Sequence, residues 1–321
     1  MFNPSDFARR IVEGDRLALG RAISVIEDGE AAALELIDLL SSHAGKALRI
    51  GITGPPGAGK STLLSKLALE MRKNGKRVGI IAADPTSPFT GGALLGDRVR
   101  MGELAGDEGI FIRSMATRGS LGGLPSAALD VCQALDASGV ERIFLETVGV
   151  GQSELDIVDT ADTVIVVLVP ESGDGIQAMK AGLMEIGDIF VVNKADREGA
   201  EGTSAEVKSI LELRNADSVW SPPVLLTAAT KGDGVQELSE KIEEHLGFLS
   251  GSNGLKRKRE DAIRFKIHEL VKERLLADAW EKSGIDGRIE SAVARVLDGK
   301  GTPLREAGAI ISVIENERGK N

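Results

Sequence analysis

The spacing of apolar residues changes near residue 46, where a helical pattern gives way to short, dense apolar runs. Before that point, apolar residues recur at helical spacing from Phe7 to Ile26 and again over residues 30–40. Gly29 interrupts the pattern between the two series, and a polar segment follows the second. We therefore predict an N-terminal helical extension over residues 1–45.

After residue 46, apolar runs rich in β-branched residues alternate with helical stretches. The runs are apolar on both faces, as parallel strands buried between helices must be. This alternation predicts an α/β fold with a mostly parallel central sheet flanked by helices, with helical extensions at both ends of the chain. The predicted strands cover residues 47–53, 78–83, 110–115, 142–147, 163–169, 189–193 and 224–227.

The chain after residue 250 shows no strand pattern. Residues 250–254 are Ser, Gly and Asn, which indicates a linker, and helical spacing of apolar residues resumes beyond it. Thr302 and Pro303 suit the cap and first turn of a last helix. The basic run at 256–259 indicates a solvated helix start or a contact for an acidic partner. We assign residues 46–250 to the α/β domain and residues 251–321 to a helical arm, which packs on that domain or on a second copy of the chain.

Composition and charge narrow the class of protein. The 321 residues are 42% hydrophobic and 27% charged, which is typical of a globular protein. Charged residues interrupt every apolar stretch well before the roughly 18 residues of a membrane helix, and the N-terminus has no apolar signal region. We expect no membrane association and a cytoplasmic location, or an organelle interior if a targeting peptide has been removed. The net charge of −10 predicts no nucleic-acid partner, and a single cysteine excludes an internal disulfide framework.

A glycine-rich segment follows the first predicted strand and leads into a helix. It matches G-x-x-x-x-G-K-[ST], the phosphate-binding loop (P-loop), in the strand–loop–helix context that this motif requires. Backbone N–H groups of the loop and of the helix N-terminus would face phosphate oxygens. Lys60 would reach the β- and γ-phosphates, and the Ser61 hydroxyl would bind Mg²⁺. The predicted nucleotide-binding residues here are Gly54, Pro55, Pro56, Gly57, Ala58, Gly59, Lys60, Ser61 and Thr62.

A second motif, N-K-A-D at residues 193–196, ends the sixth predicted strand and resembles the guanine-reading motif of GTPases. The Asp196 carboxylate can accept hydrogen bonds from guanine N1–H and the 2-amino group, whereas adenine would leave it desolvated and unpaired. The alternative role for Asp196 is a helix N-cap. We predict GTP and GDP as ligands. Asn193 can tie this segment to the P-loop. The residues predicted to contact the base, or to hold the loop that does, are Asn193, Lys194, Asp196, Thr227, Ala228 and Ala229.

The fourth predicted strand ends in E-T-V-G at residues 146–149, which resembles the D-x-x-G motif of GTPases. Gly149 can offer its N–H to the γ-phosphate and so sense hydrolysis. Val150 stands where Ras-like GTPases have a water-orienting Gln, which predicts slow intrinsic hydrolysis or dependence on a partner. Nearby candidates for orienting water are Gln152, Glu154 and Asp156. The predicted catalytic residues are Lys60, Gln152 and Glu154.

Four oxygen-bearing side chains are predicted to hold the Mg²⁺: Ser61, Asp84, Asp97 and Glu146. Glu146 can hold the metal through water. Asp84 and Asp97 lie in the segment that follows the second strand, which places them on the ligand side of a parallel sheet. An ordinary turn or cap carboxylate is the alternative for each of these two aspartates.

The motifs together resemble one family. GPPGAGKST at 54–62, GGALLGDR at 91–98, ETVGVGQSE at 146–154 and NKAD at 193–196 look like the MeaB-like GTPases, also described as ArgK or LAO/AO transport ATPases. The resemblance covers nearly the whole chain. It implies a homodimeric GTPase whose C-terminal arm helps to form the dimer.

The resemblance also implies a partner, an adenosylcobalamin-dependent acyl-CoA mutase of the methylmalonyl-CoA mutase type. The GTPase would gate delivery of the cobalamin cofactor and protect the mutase from inactivation. Two other functions stay open. One is a P-loop kinase or ATPase of a lysine/arginine/ornithine transport system, although no distinct substrate-binding domain is visible. The other is a metallocentre-insertion GTPase, although the chain has only one Cys and three His.

Overall fold

The computed structural model describes residues 2–84, 101–104, 106–116, 124, 127–148, 152–170, 182–214, 219–283 and 285–318. By its internal contacts the chain divides into two compact units, Met1–Arg259 and Glu260–Asn321. The division predicted from sequence, into an N-terminal extension, an α/β domain and a C-terminal arm with boundaries at residues 45 and 250, stays a prediction.

A fully parallel sheet forms the centre of the first unit. In the described residues it has seven strands, in the order β3-β2-β4-β1-β5-β6-β7. All seven predicted strands are confirmed, with each end within one residue, and so is the α/β fold class. The strands are β1 Leu48–Thr53, β2 Val78–Asp84, β3 Ile110–Ala116, β4 Arg142–Glu146, β5 Thr163–Leu168, β6 Ile189–Asn193 and β7 Val224–Thr227.

Helices cover both faces of this sheet, as the two-sided burial of its strands requires. The N-terminal helices α1 (Pro4–Val12), α2 (Arg16–Glu27) and α3 (Ala31–Ser41) share one core with α5 (Ala128–Ala137), α7 (Ala200–Arg214) and one face of the sheet. Helices α4 (Lys60–Lys73) and α8 (Val235–Gly251) share a second core with the other face. A single turn, α6 (Met184–Ile186), precedes β6.

The sequence predicted one continuous helical series from Phe7 to Ile26, and the structure breaks it at Gly14. This glycine has a φ of 87°, a conformation that costs a residue with a side chain more than it costs Gly. The next residue, Asp15, caps α2 by accepting hydrogen bonds from the backbone N–H groups of Leu17 and Ala18, at 2.9 and 3.0 Å. An apolar series alone does not reveal such a break, because both helices bury the same kind of face.

The second unit is helical. Helix α9 (Gly254–Ser283) leads into it, and α10 (Ile285–Leu297) and α11 (Pro303–Arg318) follow. Arg295 and Glu306 join α10 to α11 through an ion pair of 2.6 Å, and the Thr302 hydroxyl caps α11, as predicted. The predicted linker at 250–254 shrinks to the two residues between α8 and α9. Among the described residues, no helix is long and apolar enough to cross a bilayer.

A buried histidine lies near the amino-terminal edge of the sheet. His245 on α8 places Nδ1 2.8 Å from the Thr163 hydroxyl and Nε2 3.4 Å from the Asp188 carboxylate, and the Trp220 ring packs on it at 4.6 Å. Burial lowers the pKa of His245 to about 4, although the charge of Asp188 acts in the opposite direction. The imidazole is therefore neutral in the folded protein above that pH.

We expect the free energy of unfolding to fall as pH falls from about 6.5 to about 4, because the unfolded chain binds the His245 proton first. The full effect of this group is roughly 3 kcal/mol, from a pKa that burial moves from 6.5 to about 4. Urea unfolding at a series of pH values measures it. The control is His245→Gln, which cannot titrate and should lack this component. Parallel pH profiles for the two proteins would contradict the prediction.

Candidate functional site

The P-loop joins the carboxyl end of β1 to α4, and two of its glycines are required by close contacts. A side chain at Gly54, where φ is 135°, would place its Cβ 2.1 Å from the carbonyl oxygen of Val167 on β5. A side chain at Gly59, where φ is 88°, would place its Cβ 2.5 Å from the Asn193 amide nitrogen. The spacing of these glycines therefore fits the loop against both β5 and the end of β6.

The Lys60 ammonium lies over this loop. Lys60 is the first residue of α4 and is buried, and its Nζ donates to the carbonyl oxygens of Gly54 and Pro55 at 2.7 and 3.2 Å. A cation held at the N-terminus of a helix, above a loop with left-handed glycines, is an arrangement suited to phosphate oxygens. The geometry fits the predicted phosphate-binding role of Lys60.

Two of the predicted metal ligands meet directly. The Ser61 hydroxyl donates to Glu146 Oε1 at 2.7 Å, which joins the first turn of α4 to the last residue of β4. A hydroxyl and a carboxylate are hard oxygen ligands, and Mg²⁺ in nucleotide sites keeps several waters, so these two groups fit a nucleotide-bound Mg²⁺. No group of three or more His, Cys, Asp or Glu that could hold a metal occurs in the part of the chain described.

The hydroxyls of Thr53 and Thr147 tie the same two strands together. They are buried and lie 3.1 Å apart, at the point where β1 enters the P-loop and the chain leaves β4. Sequence reasoning did not find this pair. Thr53 ends β1 and Thr147 directly follows β4, but only the parallel pairing of the two strands, which aligns Ile52 with Glu146, places them side by side.

Asn193 connects the base-reading segment to the P-loop, as the sequence predicted. Its amide nitrogen donates to the Ala58 carbonyl at 2.8 Å. Its amide oxygen accepts from the Thr227 hydroxyl at 3.0 Å and from the Ala229 backbone N–H at 3.2 Å. The side chain is almost fully buried, so these bonds are made away from water. One amide therefore holds the P-loop, the end of β6 and the loop after β7 in register.

The two charged residues of the N-K-A-D motif, Lys194 and Asp196, differ from Asn193 in exposure and in contacts. Lys194 has a φ of 59°, in the left-handed region that is uncommon for a residue with a side chain. The Asp196 carboxylate lies 3.3 Å from the Lys231 ammonium, with its side chain 35% exposed. The Lys231 hydrogen bond lowers the pKa of Asp196, which keeps this carboxylate ionised.

Lys231 was missed by sequence reasoning. It lies two residues past Ala229, in a loop that the sequence already linked to the base. A lysine close to a predicted base-reading carboxylate was the available signal.

Several predicted residues fall outside what the structure describes. Asp97 and Gly149 lie outside the described residues. Asp84 ends β2, and Gln152 and Glu154 belong to a 3₁₀ helix, Gln152–Asp159, but only their backbone is described. In that 152–159 helix, burial raises the pKa of Asp156. The roles assigned to all of these residues stay predictions.

Comparison with known proteins identifies the family. A family model described as methylmalonyl Co-A mutase-associated GTPase MeaB matches residues 19–284. The chain belongs to the MeaB family. It is 51% identical to a putative GTPase of Pyrococcus abyssi over 312 residues, covering 96% of each chain. It is 35% identical to the GTPase ArgK of Escherichia coli, over 87% of this chain and 86% of that one.

Two further matches are a mitochondrial relative in sequence and a crystal structure with a similar fold. A mitochondrial methylmalonic aciduria type A homolog of Mus musculus is 32% identical, over 95% of this chain and 78% of its own length. A crystal structure described as an LAO/AO transport system kinase superposes with a TM-score of 0.75 and 26% identity, covering 98% of this chain and 99% of that one. These matches confirm the predicted family and the P-loop fold, and relatives in the MeaB family are named GTPases.

We expect Asn193→Ala to lower the free energy of unfolding by roughly 2–4 kcal/mol, because it leaves buried donors and acceptors on three segments unsatisfied. Thermal or urea unfolding measures the loss. The matched control is Thr227→Ser, which keeps a hydroxyl for the Asn193 amide oxygen and should change stability little. An Asn193→Ala protein as stable as wild type would show that the three segments are held by other contacts.

Proposed function

We propose that this MeaB-family protein binds GTP and GDP with Mg²⁺, hydrolyses GTP slowly, and acts as a switch for an adenosylcobalamin-dependent acyl-CoA mutase. The observation that carries the nucleotide part is the Asn193 side chain, which holds a base-reading segment directly against a P-loop. The family description, which names a mutase-associated GTPase, supports the partner.

Guanine selectivity would come from Asp196. Its carboxylate is ionised and partly exposed, so it can exchange Lys231 for the N1–H and 2-amino donors of guanine. Adenine offers no matching donors and would leave a carboxylate without partners at the base. Lys194, Thr227, Ala228 and Ala229 would complete the base pocket.

Hydrolysis would depend on charge stabilisation at the P-loop. The Lys60 ammonium would move from the loop carbonyls to the β- and γ-phosphates, where charge accumulates during phosphoryl transfer. Ser61 and Glu146 would hold the Mg²⁺, which supplies further neutralisation of the phosphates when bound. Gln152 and Glu154 are the proposed groups for orienting water. Because Val150 replaces a water-orienting Gln, intrinsic turnover should be slow and sensitive to a partner.

The proposed assembly is a homodimer that uses the C-terminal arm. Large apolar side chains on α9, α10 and α11 are exposed in the single chain, which is unusual for a surface that stays in water. These residues are Ile263, Phe265, Ile267, Leu270, Val271, Leu275, Leu276, Ile289, Val293, Leu297, Leu304 and Ile311. A second copy of the chain would cover part of this surface.

We expect wild-type protein to bind GDP at least about tenfold more tightly than ADP, because adenine leaves the Asp196 carboxylate unpaired. Asp196→Asn should shift preference toward xanthosine diphosphate, whose 2-oxo group needs a donor. Calorimetric titration measures both. The matched control is Asp233→Asn, an equal charge change at an exposed position of the neighbouring loop, which should leave the preference unchanged. Equal affinities for GDP and ADP would refute guanine recognition.

We expect purified methylmalonyl-CoA mutase to raise the rate of GTP hydrolysis and to bind with different affinity in the presence of GDP and of a non-hydrolysable GTP analogue. The coupling should be reciprocal and about 5–150-fold, as is usual for linked sites. Lys60→Ala controls for hydrolysis by contaminants. Equal mutase affinity with GDP and with the GTP analogue would refute the switch function. Transfer of labelled phosphate to a protein would favour the kinase alternative.

A further inference from the structure

The basic run at 256–259 is divided: Lys256 and Arg257 are exposed, whereas the side chains of Lys258 and Arg259 turn onto the sheet. Arg259 donates to the carbonyl oxygens of Gly45 and Ala47, at 2.6 and 2.7 Å, just before β1 begins. Its Nε and one Nη also lie 3.4 and 3.2 Å from the Asp162 carboxylate. The start of α9 is therefore fixed to the amino-terminal edge of the sheet.

Lys258 makes a second attachment beside the first. Its Nζ donates to the Asp162 carbonyl oxygen at 2.9 Å and to Asp188 Oδ2 at 2.8 Å. The same carboxylate oxygen of Asp188 accepts the backbone N–H of Val164. Both basic side chains therefore meet the turn that enters β5.

Asp162 is the centre of this attachment. Its side chain is fully buried and also accepts from the Arg49 backbone N–H at 2.8 Å and from the Arg49 guanidinium at 3.0 Å. Burial alone would raise the pKa of Asp162, but the charges and hydrogen bonds of Arg49 and Arg259 outweigh it and hold the pKa below its usual value. A buried carboxylate of this kind needs both guanidinium partners, because a charge left underpaired in the interior is costly.

The turn held by Asp162 is the end of the 152–159 helix. The backbone N–H of Ala161 donates to the Ile157 carbonyl at 2.9 Å, and Asp162 follows directly. Ile157 and Ala161 also lie on Gly51 of β1 so closely that a Cβ there would be 2.6 and 3.0 Å from their side chains. The carboxyl end of this 3₁₀ helix thus packs on β1, and Arg49 and Arg259 bind Asp162 in the turn that follows it.

The other end of the 152–159 helix carries the groups proposed to orient water. Gln152 and Glu154 lie in its first three residues, and Gly149 precedes it by three residues in sequence. The eight residues of this 3₁₀ helix form one continuous element, so we expect a shift at its carboxyl end to displace its amino end. The backbone position of the two residues proposed to orient water would therefore depend on the attachment at Asp162.

We propose that Arg259 is a positioning residue for GTP hydrolysis: through Asp162 it fixes the end of the 152–159 helix and with it the placement of Gln152 and Glu154. The inference rests on the proposed GTPase function and assigns Arg259, 97 residues beyond Asp162 in sequence, to the same reaction. Arg259 touches neither nucleotide nor metal in this scheme. Its loss should therefore affect the chemical step and leave nucleotide binding intact.

The test compares kcat for GTP hydrolysis with the dissociation constant for GDP in Arg259→Met. We expect kcat to fall about tenfold or more, because small displacements of orienting groups are costly for the chemical step. The dissociation constant for GDP should stay within about twofold, since the P-loop and the base-reading segment are unchanged. Arg259→Lys keeps the charge but cannot reach the carboxylate and both carbonyls together, and should recover part of the rate.

Two further variants separate positioning from general destabilisation. Arg257→Met removes an exposed cation two residues away and should match wild type in both measurements. Gly51→Ala disturbs the 152–159 helix from β1, with Arg259 intact, because the new Cβ would lie 2.6 Å from Ile157 Cγ1 and 3.0 Å from Ala161 Cβ. It should lower kcat and spare GDP binding, as Arg259→Met does.

The outcomes distinguish this proposal from the proposed function. If the wild-type protein hydrolyses GTP and Arg259→Met has the same kcat, the positioning role alone is overturned. A parallel loss of kcat and GDP affinity in Arg259→Met would also overturn it, because a structural role predicts that both decline together. A wild-type protein that hydrolyses no GTP would overturn both proposals.

Discussion

The buried Asn193 amide is the interaction on which the candidate site depends. From the end of β6, the amide donates to the Ala58 carbonyl of the P-loop and accepts from the Thr227 hydroxyl at the end of β7 and the Ala229 N–H in the loop that follows. Its approach leaves no space for a side chain at Gly59. The glycine of the phosphate motif and the asparagine of the base motif are therefore one packing unit, although 134 residues separate them and each has its own explanation in nucleotide chemistry.

The central position of β1 gives the site its remaining geometry. β1 pairs with β4 on one side and β5 on the other, so the P-loop that follows it lies between the ends of both neighbours. Ser61 reaches Glu146 on the β4 side, and Gly54 lies against Val167 on the β5 side. Earlier along the same strand, Arg49 and Gly51 hold the turn and helix that enter β5. One strand thus positions the P-loop at its carboxyl end and contacts the 152–159 helix and the following turn through Gly51 and Arg49.

The strands and the motifs that follow them could be predicted from the sequence, whereas the long-range contacts between charged residues could not, for physical reasons. Strands buried on both faces produce continuous apolar runs with sharp ends, and motifs that directly follow those ends must gather at one edge of a parallel sheet. The P-loop and the Asn193 link could therefore be predicted. Contacts between distant charges leave no local pattern, so the ion pair of Arg259 with Asp162 could not be predicted. The position of Lys231 in a loop linked to the base was a signal, but its pairing with Asp196 is visible only in the fold. The break at Gly14 was hidden because α1 and α2 bury similar faces.

Asp162 and Asp196 carry the same side chain but differ in how far it is removed from water. Asp162 has no exposed surface and is held by two guanidinium groups and a backbone N–H, so exchanging a partner would leave charge uncompensated in the interior. Asp196 is 35% exposed and meets one flexible lysine, a contact of the type that contributes little to stability and exchanges readily with water or ligand. The first arrangement can only hold structure in place, whereas the second can release its partner for a base. Burial therefore suits the same chemical group to a fixed structural role at one edge of the sheet, and to the proposed recognition of a base at the other.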